Sequence, residues 1–120
     1  VDGWIDWNMV LDKQGGPNWF KNWCIAPVIV DPENDEVYFT PLYYTMAHFS
    51  KFMRPGAVKI GCTINHKDLM ATAVKNPDGT IALVIFNPTE QIKNVSIRLN
   101  NLSKNISISS KALQTVIIRS

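Results

Sequence analysis

The chain of 120 residues lacks most of what would mark a nucleic-acid, membrane or metal protein. Lys and Arg number 12 against 10 Asp and Glu, a formal charge of +2, and no basic run forms a stripe. Without such a footprint for a phosphate backbone, no nucleic-acid partner is expected. No window reaches the roughly 18–20 continuous apolar residues that a membrane helix needs, so no transmembrane segment is expected. Cys24 and Cys62 stand far apart and in no metal-type spacing, which leaves free, partly buried thiols as the expected state. His48 and His66 have no nearby Cys or His partner; no metal site and no cofactor is expected. Glutamate is scarce as well, limited to Glu33, Glu36 and Glu90.

Tryptophan is absent after position 23, and that absence points to what is present. All four tryptophans lie in GWIDWNMVLDKQGGPNWFKNW, residues 3–23. Trp4 and Trp7 flank Asp6, Trp19 and Trp23 flank Asn22, and a Gly-Gly-Pro turn separates the pairs. An indole offers a broad apolar face and one N–H donor. Sugars present C–H faces edged by hydroxyls, so indoles interleaved with Asp6, Asn8, Asn18 and Asn22 suit a carbohydrate. The opposing reading is core packing, because Trp is highly buried on average.

Residues 3–11 alternate as a strand, with Trp4, Asp6, Asn8 and Val10 on one face. Residues 12–24 are rich in turn chemistry and read as a loop. A hairpin over 27–40 follows, turning at PENDE, and Asp31 and Asp35 read there as part of a solvated acidic turn. Thr40 and Pro41 open a helix over 41–54 as N-cap and first helical residue. Leu42, Met46, Phe49 and Met53 supply its apolar stripe, and Arg54-Pro55-Gly56 stops it. His48 lies beside that stripe and reads as a packing or capping residue.

After Pro55 the period changes to two. Val58, Ile60, Cys62 and Ile64 alternate with small or polar residues, and Asn76-Pro77-Asp78-Gly79 joins two strands by a tight turn. Ile81–Phe86 is apolar on both faces, as a strand covered on both sides would be. Three more short strands follow. The reading is a mainly β chain: a first part to residue 55, then an antiparallel β-sandwich over 56–120.

Several strings carry a family resemblance: G-W-I-D-W-N at 3–8, G-G-P-N-W at 15–19, P-V-I-V-D at 27–31, H-F-S-K-F at 48–52 and N-P-D-G at 76–79. Together they resemble glycoside hydrolase family 30, in particular its glucosylceramidase-like group. The resemblance implies a (β/α)8 barrel fused to a side β-sandwich. Residues 3–8 would be the last barrel strand, 41–54 its helix, and 57–120 the sandwich. It also implies that Trp7 lines a glucosyl pocket, that Asn22 reaches it from the loop, and that Trp4, Asn8, Asn18 and Trp19 are further substrate-binding candidates. The expected substrate of the parent is a β-glucoside or glycolipid.

Such enzymes retain configuration with two glutamates about 5–5.5 Å apart. By resemblance those lie upstream, and none of the three glutamates here matches their motifs. No catalytic residue is therefore expected in this chain, which alone is expected to be inactive. It starts V-D-G-W-I, as if in mid-strand, and reads as a piece of a longer protein. Unpaired strand edges in such a piece invite self-association. A stand-alone carbohydrate-binding module and a sandwich with all indoles in the core remain the alternatives. Three acceptor triplets, Asn94-Val-Ser, Asn101-Leu-Ser and Asn105-Ile-Ser, are compatible with a secreted or lysosomal parent, although no targeting segment is read in the chain.

Overall fold

The computed structural model describes residues 3–119. Two compact units divide the chain, Val1–Ala47 and His48–Ser120.

In the first unit, β1 (Val10–Asp12) pairs in parallel with β2 (Val28–Asp31), which pairs antiparallel with β3 (Glu36–Phe39). The strand expected over 3–11 is thus confined to its end. A strand persists where its backbone groups find partners. The β1 register starts at Val10↔Val28, the Met9 carbonyl accepts from Val28 N–H at 3.1 Å, and residues 3–8 pair with no strand among the described residues. Asn8 instead takes a left-handed φ of 53°, which ends any extended run there.

The helix α1 (Pro41–Ser50) is shorter than the apolar stripe that announced it. One further bond, from Met53 N–H to the Phe49 carbonyl, carries the coil past its end. Thr40 does not cap α1 through its side chain, as expected from the Thr-Pro pair. Its hydroxyl donates to the Pro27 carbonyl at 3.0 Å, and its N–H donates to the same carbonyl at 2.9 Å. Those two bonds fix where the hairpin ends and the helix begins.

The second unit is antiparallel throughout. A four-stranded sheet runs β4 (Val58–Ile60), β5 (Met70–Lys75), β6 (Ile81–Asn87), β9 (Ala112–Ile118), and β7 (Lys93–Leu99) pairs with β8 (Leu102–Ile108). Alternation puts Ala73, Leu83 and Ile85 on one face of the large sheet, where they cluster with Leu69 and Ile108. Val95, Ile97 and Ile106 of the hairpin pack against the same cluster, so the core lies between the two sheets. The opposite face of β6 is covered too, with Ala82 and Val84 buried, which matches the doubly apolar reading of 81–86. Asn76 closes the β5–β6 turn by accepting from Gly79 N–H and donating to the Thr80 carbonyl.

Strand pairing of β4 stops at Ile60↔Ala73, so the alternating residues Cys62 and Ile64 leave the sheet. Both cysteines are free, Cys24 half-buried and Cys62 exposed rather than partly buried. The two compact units meet between Ala47 and His48, inside α1. The reason is local to the second unit: His48 Nδ1 lies 2.8 Å from Thr115 Oγ1 on β9. Asn76 also binds the chain just after the helix, accepting from Arg54 N–H and donating to the Phe52 carbonyl, each at 3.0 Å.

Candidate sugar-binding segment

The site predicted from sequence lies wholly in the first unit, and its foundation is the loop after β1. Asp12 organises that loop. Its Oδ1 accepts from the N–H groups of Gln14 and Gly16, both at 2.9 Å, while its own N–H donates to the Gly16 carbonyl. Gly15 then takes φ of 91°, a conformation that side chains rarely adopt. The returning chain passes so close that a Cβ on Gly15 would stand 2.3 Å from the Cys24 carbonyl oxygen. Gly16 is pressed in turn by the Trp23 ring, 3.0 Å from where its Cβ would be. The two glycines of G-G-P-N-W are therefore set by close packing against Trp23 and Cys24. Sequence reading had seen only their turn chemistry.

Above this base the indoles divide. Trp23, seated on Gly16, is 48% exposed, whereas Trp4, Trp7 and Trp19 are 73, 74 and 96% exposed. The reading in which all four belong to a core is overturned. Trp19 does not hold the loop by packing; its ring is almost wholly in solvent. Asn18 and Asn22 are brought together, Asn22 N–H donating to Asn18 Oδ1 at 3.0 Å. Asn18 Nδ2 is buried without a hydrogen-bond partner. Among the described residues Asp6 accepts only from the adjacent Trp7 N–H, at 2.8 Å, and Asn8 is half-buried in its left-handed turn. Three exposed ring faces with neighbouring amide and carboxylate groups offer stacking and hydrogen bonding.

Sequence reasoning missed one element of this unit. Asp31, expected in a solvated acidic turn, is only 2% exposed, and Lys13 Nζ lies 2.7 Å from its Oδ2. Asn34 Nδ2 donates to the same oxygen at 2.8 Å. The Lys13 hydrogen bond, then the Asn34 one, hold the Asp31 carboxyl below its ordinary pKa, and Asp31 raises that of Lys13. Lys13 follows β1 and Asp31 ends β2, so the parallel pairing of those strands creates the contact. The signal available in sequence was the D-P-E-N turn, whose leading Asp favours bonding to the residues after it.

Among the described residues no group of three or more His, Cys, Asp or Glu is placed to hold a metal ion. Glu33, Glu36 and Glu90 are all exposed. The second unit contains an open cleft of about 490 Å³ between its sheets, lined by Ile60, Leu83, Ile97 and their neighbours; none of the candidate site residues borders it.

Comparison with known proteins finds two family domains along the chain. Residues 1–53 match the glycosyl hydrolase family 30 TIM-barrel domain, and residues 56–116 match the family 30 beta sandwich domain. The lysosomal acid glucosylceramidase of Mus musculus is 38% identical over 92 residues, covering 76% of this chain and 18% of its own length. The chain thus spans about a fifth of that relative. Among solved structures, SrfJ from Salmonella typhimurium superposes with a TM-score of 0.91 at 29% identity, over 97% of this chain and 26% of its own. The endo-β1,6-glucanase BT3312 gives a TM-score of 0.83 at 27% identity, over 91% of this chain and 25% of its own.

Proposed function

Because the chain belongs to glycosyl hydrolase family 30, we propose that it is the C-terminal segment of a retaining β-glucosidase of the glucosylceramidase type. It supplies part of the glucosyl pocket and the side sandwich, and the two catalytic glutamates come from other parts of the parent. The substrate is a β-glucoside or glycolipid. The mouse relative is named as lysosomal, and a lysosomal or secreted parent is the corresponding reading.

The observation that carries the proposal is the exposure of Trp4, Trp7 and Trp19 in a unit whose own core leaves them out. Large apolar faces left to solvent beside fixed polar groups mark ligand surfaces. In a barrel, the C-terminal ends of the strands and the loops leaving them form the active site. With residues 3–8 read as the last barrel strand, Trp7 and Asn8 stand at its C-terminal end, and the chain that leaves it carries Asn18 and Asn22. Trp7 stacks on the sugar, Asn22 bonds a hydroxyl, and Trp4, Asn8, Asn18 and Trp19 border the same pocket. The isolated chain is inactive and self-associates through its open strand edges.

The test uses the full-length parent. Trp7→Ala is expected to lower kcat/KM on an aryl β-glucoside by roughly tenfold or more, about 1.4 kcal/mol of transition-state stabilisation. An unchanged kcat/KM removes Trp7 from the pocket. Hydrolysis by the isolated 120-residue chain would place catalytic groups within it and overturn the assignment.

A further inference from the structure

The three Asn-x-Ser triplets fall on a single hairpin. Asn94-Val95-Ser96 lies in β7, Asn105-Ile106-Ser107 in β8, and Asn101-Leu102-Ser103 starts in the turn between them. In a strand, the first and third residues of a triplet share a face and the middle one takes the other. Here the middle residues Val95 and Ile106 pack on the core cluster. Burying them turns Asn94, Ser96, Asn105 and Ser107 outward, and all four are exposed. Register makes them neighbours, with Asn94 opposite Ser107 and Ser96 opposite Asn105. The two triplets form one neutral outward patch, continued by a hydrogen bond of 3.0 Å between Ser96 and Ser103. Asn101 is exposed as well, beside Asn100, whose φ of 50° tightens the turn.

We propose that the outer face of the β7–β8 hairpin carries N-linked glycan. Asn101 at the turn is the principal acceptor, and Asn94 and Asn105 are acceptors on the strand face. Asn94 and Asn105 are diagonal neighbours, rooted about 7–8 Å apart, so a glycan on one crowds the other. The outer face thereby becomes a sugar-covered surface, while Val95, Ile97 and Ile106 keep the inner face in the core. The proposal rests on the secreted or lysosomal reading of the parent, because acceptor triplets meet the transferase only in that route.

Two measurements separate its premises. The chain is translated behind an added signal peptide with eukaryotic microsomes, and its gel mobility is compared before and after peptide-N-glycosidase treatment. Glycosidase-sensitive retardation is expected, reduced by Asn101→Gln and abolished by combining Asn94→Gln, Asn101→Gln and Asn105→Gln. No retardation, or retardation that survives the triple variant, overturns the assignment. Glycopeptide mapping of the native parent then reads residues 93–108 directly. Bare asparagines there overturn the proposal, and a positive microsomal result beside them traces the failure to the secretory reading rather than to the hairpin. Neither measurement depends on hydrolase activity, so loss of the enzymatic reading leaves both interpretable.

Discussion

The Lys13 ammonium lies 2.7 Å from Oδ2 of Asp31, a carboxylate of which only 2% is exposed. This pair joins the loop after β1 to the end of β2. Asp31 also accepts from the Glu33 and Asn34 N–H groups and from Asn34 Nδ2. Lys13→Met is expected to destabilise the first unit, and Asp31→Ala to do so more, since it removes four donors' acceptor at once. The pH dependence has a definite sign. The folded pKa of Asp31 lies below its ordinary 3.8, so its contribution is fully present above that value and is lost as pH falls through the lower folded one. Tryptophan fluorescence during acid titration should show the first unit opening at higher pH in Lys13→Met. Coincident curves would mean the pair contributes nothing.

Gly15 makes a second prediction. Its φ of 91° and the 2.3 Å approach of the Cys24 carbonyl leave no room for a methyl group. Gly15→Ala is expected to cost about 1–3 kcal/mol through strain and displacement of the returning chain at Cys24. The same change at Gly61, where nothing lies within 4 Å of the added carbon, is the control and should be nearly neutral. Urea midpoints of the two variants decide the matter. Equal midpoints would show that the loop yields without cost.

In the full-length parent the loop variants also report on the site. Asn18→Ala frees the Asn22 N–H from its 3.0 Å bond and leaves the Asn22 side chain intact. If Asn18 positions Asn22, the variant should lower kcat/KM by several-fold, in the same direction as Asn22→Ala, and the double variant should lose less than the sum of the two. Additive losses would make the two asparagines independent.

Local chemistry was legible in the chain and long-range pairing was not. The Asn76-Pro77-Asp78-Gly79 turn needs a glycine at positive φ, and Gly79 has φ of 85°. The strands after it follow from alternation against a common core. Residues 3–9 alternate equally well yet form no strand, because alternation states only which face a side chain takes, and pairing needs a neighbour. Burial of Asp31 was hidden for the same reason, since its partner Lys13 arrives through parallel pairing across the whole tryptophan loop. For the candidate site, the sequence marked the aromatic and amide residues. It did not show that Trp23 alone would settle on Gly16 while Trp19 stayed in solvent, which depends on how the loop closes.

Asn87 is the sharpest case of a residue whose role appears only in the fold. It ends β6 fully buried. Its Nδ2 donates to the Gln91 carbonyl at 2.7 Å and the Ser109 carbonyl at 2.9 Å, and its Oδ1 accepts from Thr89 N–H and Oγ1. One amide thus ties the β6–β7 connection to the β8–β9 turn, and both its ends are used. Asn87→Leu would take the side-chain donor from the Gln91 and Ser109 carbonyls and the acceptor from Thr89, each lost bond costing about 1 kcal/mol. Asn87→Asp keeps the acceptor for Thr89 but brings a charge to a buried site with carbonyls facing it. Both should lower the urea midpoint of the second unit by about 2–4 kcal/mol in stability at unchanged slope, with Asn87→Asp recovering as pH falls and the carboxyl takes a proton that can be donated. A pH-independent loss in Asn87→Asp would show that the two carbonyls, rather than the buried charge, set the cost.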